Sequence, residues 1–137
     1  MGAMDWDCFT SWNPDIEAAF RTAQSEESDR LGGDPMELLM ASGEDGTHSI
    51  LDLFAGVSKT GYLERDPRDH FMAFPVPEDW LKETYGTNTP TRQMVEKTRM
   101  DQLENLKRGT GIYFAVWEHE GGKGNPQWWY FYGCTGD

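Results

Sequence analysis

Residues 111–132 read GIYFAVWEHEGGKGNPQWWYFY and hold the two most β-prone runs of the chain. The runs, 111–117 and 127–132, are dense in β-branched and aromatic residues, and a glycine-rich turn separates them. We predict that they form a β-hairpin. Because neither run alternates with polar residues, we expect other parts of the chain to cover both faces of the pair.

Helix signals recur upstream of this hairpin. Asn13 and Pro14 have the residue types of an N-cap and a first helical position, and a buried stripe at helical spacing follows as far as Gly32 and Gly33. Asp34 with Pro35 repeats the signal for a short helix. The stripe of that helix is formed by Met36, Leu39 and Met40.

Two further helices are predicted in the second half. One spans residues 78–85. The longest begins with Thr89 as N-cap and Pro90 in the first turn and runs to about Arg108. Additional strands are predicted at 5–10, 47–53 and 70–76, with an irregular loop over residues 54–69. Together the elements predict one α+β domain over residues 1–137, with about four helices and a mixed or antiparallel sheet of about five strands ending in the aromatic hairpin. Residues 1–3 are interpreted as a cloning remnant.

Charge is the compositional feature that deviates most. The 137 residues carry a net charge of −12, and residues 1–55 hold 12 acidic side chains against only Arg21 and Arg30. A negative field of this kind repels phosphate backbones and anionic headgroups, so nucleic acid and membrane surfaces are excluded as partners. A basic protein partner would be attracted instead, although acidity for solubility alone accounts for the same charge.

Cysteine content and hydropathy indicate a cytoplasmic protein. Cys8 and Cys134 are too few for a disulfide framework and are interpreted as reduced thiols, with a bridge between the two as the alternative. No apolar run is long enough to span a membrane, and no signal peptide is recognised.

Scattered motifs carry a resemblance. The stretch 45–52, DGTHSILD, together with Tyr85-Gly86-Thr87, Thr89-Pro90-Thr91 and the closing aromatic strand, resembles a group of small bacterial proteins of unknown function. The resemblance implies a bacterial origin and transfers no functional residue.

Candidate catalytic and metal-ligating residues do not form a motif. His48, His70 and His119 are widely spaced, and Glu118, His119 and Glu120 cannot converge from one strand because neighbouring side chains alternate between its faces. Cys8 lies among aromatic residues and is interpreted as a small buried side chain rather than a nucleophile. Chance carboxylate pairs such as Asp52 with Asp66 carry no weight. We therefore predict no catalytic residue, no metal and no cofactor.

The glycine-rich turn 121–125 is also interpreted as structural. Phosphate-binding loops of this composition lead from a strand into a helix N-terminus, whereas this one joins two predicted strands.

The preferred functional interpretation is an acidic protein-binding module, of the immunity or inhibitor type, that neutralises a basic partner such as a nuclease toxin. Carboxylates would steer the partner, and aromatic anchors would hold it. Candidate partner-binding residues are Glu26, Glu27, Asp29, Glu44, Asp45, Trp128 and Tyr130.

Two alternatives belong to other classes. One is a small hydrolase-like enzyme that uses a histidine with a neighbouring carboxylate. The other is a homodimeric structural protein whose hairpin edges pair across a twofold axis. A monomer and a homodimer are both compatible with the sequence.

Overall fold

A computed structural model describes residues 4–42, 47, 49–53, 55–56, 72–98 and 110–135. In these residues the fold is α+β, with one mixed sheet and four α-helices. The helices are α1 (Ile16–Leu31), α2 (Pro35–Ser42), α3 (Glu78–Tyr85) and α4 (Arg92–Thr98). The strands are β1 (Met4–Ser11), β2 (Ala55–Gly56), β3 (Met72–Pro75), β4 (Thr110–Val116) and β5 (Trp128–Thr135).

The sheet has the strand order β1-β5-β4-β3-β2. β5 pairs antiparallel with both β1 and β4, while β3 pairs parallel with β4 and with the two-residue strand β2. The sheet is therefore mixed, and an entirely antiparallel sheet is ruled out. As predicted, the aromatic runs pair with each other, and residues 117–127 connect them.

Both faces of the sheet are covered, which explains why its strands do not alternate with polar residues. On one face, α1 and a 3₁₀ helix (Ile50–Asp52) pack against Tyr113, Phe131 and Ala73. On the other face, Leu81 of α3 and Val95 of α4 pack with a second set from β4 and β5: Ile112, Phe114, Val116, Tyr130 and Tyr132. Successive residues of β4 and β5 thus serve two separate cores.

Two helices begin later than predicted. The N-cap of α1 is Asp15, whose side chain accepts hydrogen bonds from the Glu17 and Ala18 amides, and Asn13 accepts one from the Asp15 amide instead. For α4, the Thr91 hydroxyl accepts from the Met94 amide and takes the capping position assigned to Thr89. In both cases the residue after the proline has a second capping side chain, which the sequence pattern leaves unresolved.

The strand predicted at 47–53 is wrong. Ile50–Asp52 forms the 3₁₀ helix, and the Ser49 side chain caps it by accepting from the Leu51 amide. Asp52 accepts from both the amide and the hydroxyl of Thr47. These local polar bonds outweigh the β-propensity of the apolar residues. Most of the predicted loop over residues 54–69 lies outside the described residues, and its two described residues, Ala55 and Gly56, form β2. The last part of the predicted long helix, residues 99–108, also lies outside them.

Candidate functional site

The end of α1 and the adjoining α2 expose apolar side chains to solvent. Met36 is 62% exposed, Met40 is 75% exposed and Leu31 is 40% exposed. These are the large apolar residues that the described part of the chain leaves exposed. Met36 and Met40 are four residues apart, so they share one face of α2.

Carboxylates accompany these side chains along the same segment. Asp29, Asp34 and Glu37 are all exposed. The Asp34 carboxylate also accepts a hydrogen bond from the Met36 amide at 3.1 Å, so it caps α2 as predicted. We call residues 29–40 the acidic corner: three exposed apolar side chains, three exposed acids and one base, Arg30.

The exposure of Met36 and Met40 in the acidic corner differs from the sequence prediction. Met36 and Met40 were predicted to lie on a stripe together with Leu39, which is the pattern of a buried face. Most residues of α2 are apolar, however, and a two-turn helix cannot bury all of them. The high share of apolar residues in this short helix is therefore the feature of the sequence that predicts the exposure of some of its apolar side chains.

The predicted partner-binding acids of α1 differ in their surroundings. Asp29 is exposed. The Glu26 carboxylate is exposed but accepts a hydrogen bond from the buried Thr10 hydroxyl of β1. The Glu27 side chain is only 14% exposed and is paired with Arg30. Glu27 therefore faces the sheet and is already neutralised, so it does not belong to the outward acidic face predicted for α1.

The two aromatic candidates also differ from prediction. Tyr130 is fully buried and donates a hydrogen bond to Asp7 at 3.0 Å, so a role as surface anchor is wrong for this residue. Trp128 is half-buried, and the Arg92 guanidinium lies 5.0 Å from its ring centre and 4.3 Å from that of Phe9. Glu44 and Asp45 lie outside the described residues.

A crevice of about 180 Å³ lies between β1 and α1. It is lined by Trp6, Asp7, Cys8, Glu27, Arg30, Ser49 and Ile50. Three consecutive β1 residues line it although successive side chains point to opposite faces, so the crevice reaches the main chain of the strand. No disulfide joins Cys8 and Cys134, since Cys8 lies opposite Phe131 and Cys134 lies opposite Asp5 in the strand register, so the alternative of a bridge between them is wrong.

The chemistry of Cys8 follows from this position. Burial and, to a smaller extent, the nearby carboxylates of Glu27, Asp7 and Glu26 together raise the pKa of its thiol to about 12. A thiol with this pKa is protonated near neutral pH and is a poor nucleophile.

Of the three histidines considered as candidate catalytic or metal-ligating residues, His119 is the one that lies within the described residues. Its side chain is 88% exposed, and Nε2 lies 4.0 Å from a carboxylate oxygen of Glu118. The open cleft beside it has a volume of about 390 Å³ and is lined by Thr91, Gln93, Met94, Lys97, Glu118, His119 and Glu120. His48 and His70 lie outside the described residues. Among those that are described, no three His, Cys, Asp or Glu side chains are grouped so that they could hold a metal ion.

The glycine-rich turn runs from β4 into β5 without an intervening helix. Gly121, Gly122 and Gly124 all have positive φ, which glycine adopts without strain. The indole of Trp117 donates to the Gly124 carbonyl at 3.2 Å, which fixes the turn against the end of β4. This arrangement lacks the helix N-terminus that phosphate-binding loops present.

Comparison with protein-family models, curated proteins and solved structures finds no significant match for this chain. Among the helices that the structure describes, none combines the length and the apolar character that crossing a membrane requires.

Proposed function

We propose that this protein is an acidic binding module that docks on a basic partner protein through the acidic corner. The observation that carries the proposal is the exposure of Met36, Met40 and Leu31 within a segment whose acids are also exposed. Apolar side chains exposed together are typical of sites that another surface covers.

The composition of the corner fits a cationic partner with an apolar contact face. Methionine side chains are flexible and polarizable, so they adapt to the shape of a bound surface. The carboxylates attract a positively charged partner over several ångströms and raise the rate of association, whereas apolar burial slows dissociation. A partner of acidic character would be repelled by the same groups.

An immunity or inhibitor-type role is the form of this function that we favour. A protein that neutralises a basic toxin such as a nuclease has to cover a cationic surface and needs no chemistry of its own. The net charge of −12, with its excess in the first 55 residues, supports such a role. The hydrolase-like alternative would rest on His119, whose exposure leaves a substrate without enclosure.

The experiment compares two double variants with a matched control. Met36→Ser with Met40→Ser removes the apolar contacts. Asp34→Asn with Glu37→Gln removes two charges while asparagine preserves the helix cap. Glu78→Gln with Asp79→Asn makes the same change of charge on exposed residues of α3.

Proteins retained by the wild type from a bacterial lysate are identified, repurified and measured for binding at 50 and 300 mM salt. We expect a basic partner whose binding is lost in the methionine variant. In the acidic-corner charge variant, the association rate should fall about tenfold at low salt, and the control should match the wild type. Retention of the same partner by the methionine variant, or an acidic partner, would contradict the proposal.

A further inference from the structure

Methionines in the described part of the chain differ widely in exposure. Met36 is 62% exposed and Met40 is 75% exposed, whereas the side chains of Met72 and Met94 are half-buried. Thioethers are oxidised to sulfoxides where an oxidant can reach the sulfur. Met36 and Met40 are therefore the two of these four methionines that a dissolved oxidant reaches most readily.

The packing of α2 directs both side chains outward. A Cβ atom at Gly33 would lie 3.1 Å from Leu38 Cγ, so Leu38 packs closely against the turn between α1 and α2. Residues two apart on a helix point in nearly opposite directions, so Met36 and Met40 face away from that contact. A chemical change at either sulfur therefore adds no polar group to the interior of the fold.

The charge of the acidic corner favours an uncharged oxidant. Asp34 and Glu37 are exposed beside the two methionines, and their negative field repels anionic oxidants. Hydrogen peroxide is uncharged near neutral pH. The sulfur uses a lone pair to take one oxygen atom from peroxide, the O–O bond breaks, and the second oxygen leaves with both hydrogen atoms as water. The sulfur loses two electrons and the peroxide gains them.

A sulfoxide alters the apolar contact of the acidic corner and leaves its charge unchanged. The sulfoxide oxygen accepts hydrogen bonds, so burying it against an apolar surface without a donor is unfavourable. The carboxylates of Asp29, Asp34 and Glu37 are not affected. Apolar contact mainly determines how long a complex lasts, whereas charge mainly determines how fast it forms. Oxidation should therefore shorten the lifetime of a complex without slowing its formation.

We propose that Met36 and Met40 form a peroxide-sensitive switch on the acidic corner, in which sulfoxide formation releases a bound basic partner. This inference rests on the proposed function and adds regulation to the same surface. Release is reversible, because methionine sulfoxide reductases return the sulfoxide to the thioether. A bound partner covers both side chains and so protects them from peroxide.

The first measurement needs no partner. The full-length protein is treated with hydrogen peroxide, and peptides from timed samples are quantified by mass spectrometry. Met36 and Met40 should be oxidised at least about fivefold faster than Met72 and Met94, because their side chains are more accessible. Urea unfolding of protein oxidised at Met36 and Met40 should match that of untreated protein. Equal rates at the four positions, or a loss of stability, would overturn the inference.

The second measurement uses a blocked amphipathic helical peptide of leucine and lysine, which combines an apolar face with positive charge. Surface plasmon resonance gives its association and dissociation rates on the protein before and after peroxide treatment. Oxidation should raise the dissociation rate about tenfold and change the association rate by less than about twofold, and reductase treatment should restore both. Bound peptide should also slow the oxidation of Met36 and Met40, but not that of Met72.

Two double variants identify the residues responsible. Met36→Leu with Met40→Leu leaves no sulfur on α2 to oxidise, so the rates of this variant before and after peroxide should agree with each other. Both cysteines remain in it, so a loss of binding caused by thiol oxidation would persist. Met72→Leu with Met94→Leu is the matched control and should respond to peroxide as the wild type does.

Failure of the switch can be told apart from failure of the proposed function. If bound peptide protects Met36 and Met40 but oxidation leaves the dissociation rate unchanged, the switch is overturned and the docking surface stands. The same holds if the Met36→Leu with Met40→Leu variant also loses binding on treatment with peroxide. If the peptide neither binds nor protects these side chains, the switch and the docking surface both fail.

Discussion

The Cys8 thiol lies against α1, where burial and nearby carboxylates give it a pKa of about 12. With Cys134→Ser as background, we expect the folded protein to react with iodoacetamide at pH 8.5 at least tenfold more slowly than the same protein in 6 M urea. Mass spectrometry of timed samples measures this rate. Equal rates in the two states would show that the thiol is accessible and ionised in the fold.

The first turn of α1 offers a test at two neighbouring residues. Asp15 accepts from two helix amides, whereas Asn13 accepts only from Asp15 itself. Asp15→Ala should therefore lower the free energy of unfolding by about 1 kcal/mol, as loss of an N-cap usually does. Asn13→Ala is the matched variant and should cost less in the same urea titration. A larger loss for Asn13 would restore the cap position that the proline pattern predicts.

For an individual residue, the sequence gives the type of side chain but does not show whether that side chain is buried or which groups it contacts. The acidic character of Glu26, Glu27 and Asp29 is plain in the sequence, yet only the packed structure shows that Glu27 faces the sheet. Tyr130 was a reasonable candidate anchor, but alternate positions of β5 point into two cores and bury it. Burial on both faces depends on helices distant in sequence, so a local pattern cannot reveal it.

At the scale of the elements, hydrogen bonds from one buried side chain link α1 to the 3₁₀ helix. Gln24 is buried and its amide nitrogen donates to the carbonyls of Leu53 at 2.8 Å and Ile50 at 3.3 Å. Gln24→Leu should lower the free energy of unfolding by about 1–3 kcal/mol, because the Leu53 carbonyl loses its side-chain donor and the Ile50 carbonyl keeps only the Leu53 amide. Gln93→Leu on the exposed side of α4 is the control and should change it by less than about 0.5 kcal/mol. Both are measured by urea unfolding, and similar losses would contradict the link.

Elements were predictable where a pattern was long or had clear ends. The aromatic hairpin, α1 and α3 follow from runs and caps visible in the sequence. The 3₁₀ helix was missed because its apolar residues resemble a short strand, and polar bonds from Ser49 and Asp52 determine its form. The parallel pairing of β3 with β4 depends on the crossover that carries α3 and α4, which no single segment encodes.

Across the whole molecule, stability should fall at alkaline pH. Burial raises the pKa of the Tyr113 hydroxyl to about 12 from its ordinary 10.0, and the Cys8 thiol is raised from 9.0 to about 12. Below about pH 8 both groups are largely protonated in the folded and the unfolded chain. Between about pH 8 and 12 the unfolded chain releases these protons more readily, so the free energy of unfolding declines.

Urea unfolding at pH 8 and pH 10.5 measures this decline. The double variant Tyr113→Phe with Cys8→Ala should lose less stability between the two pH values than the wild type does. If the wild type is equally stable at both pH values, or if the double variant declines as steeply, ionisation of these two groups is not the cause.

The pairing of β1 with β5 also has a consequence for synthesis on the ribosome. Met4 lies opposite Thr135, so β1 is synthesised more than 100 residues before β5 and cannot pair with it until β5 leaves the exit tunnel. An eight-residue edge with aromatic side chains would meanwhile be accessible to chaperones and to other nascent chains. The aspartates at positions 5 and 7 lie in the same strand and would keep neighbouring copies of the emerging chain apart during that interval.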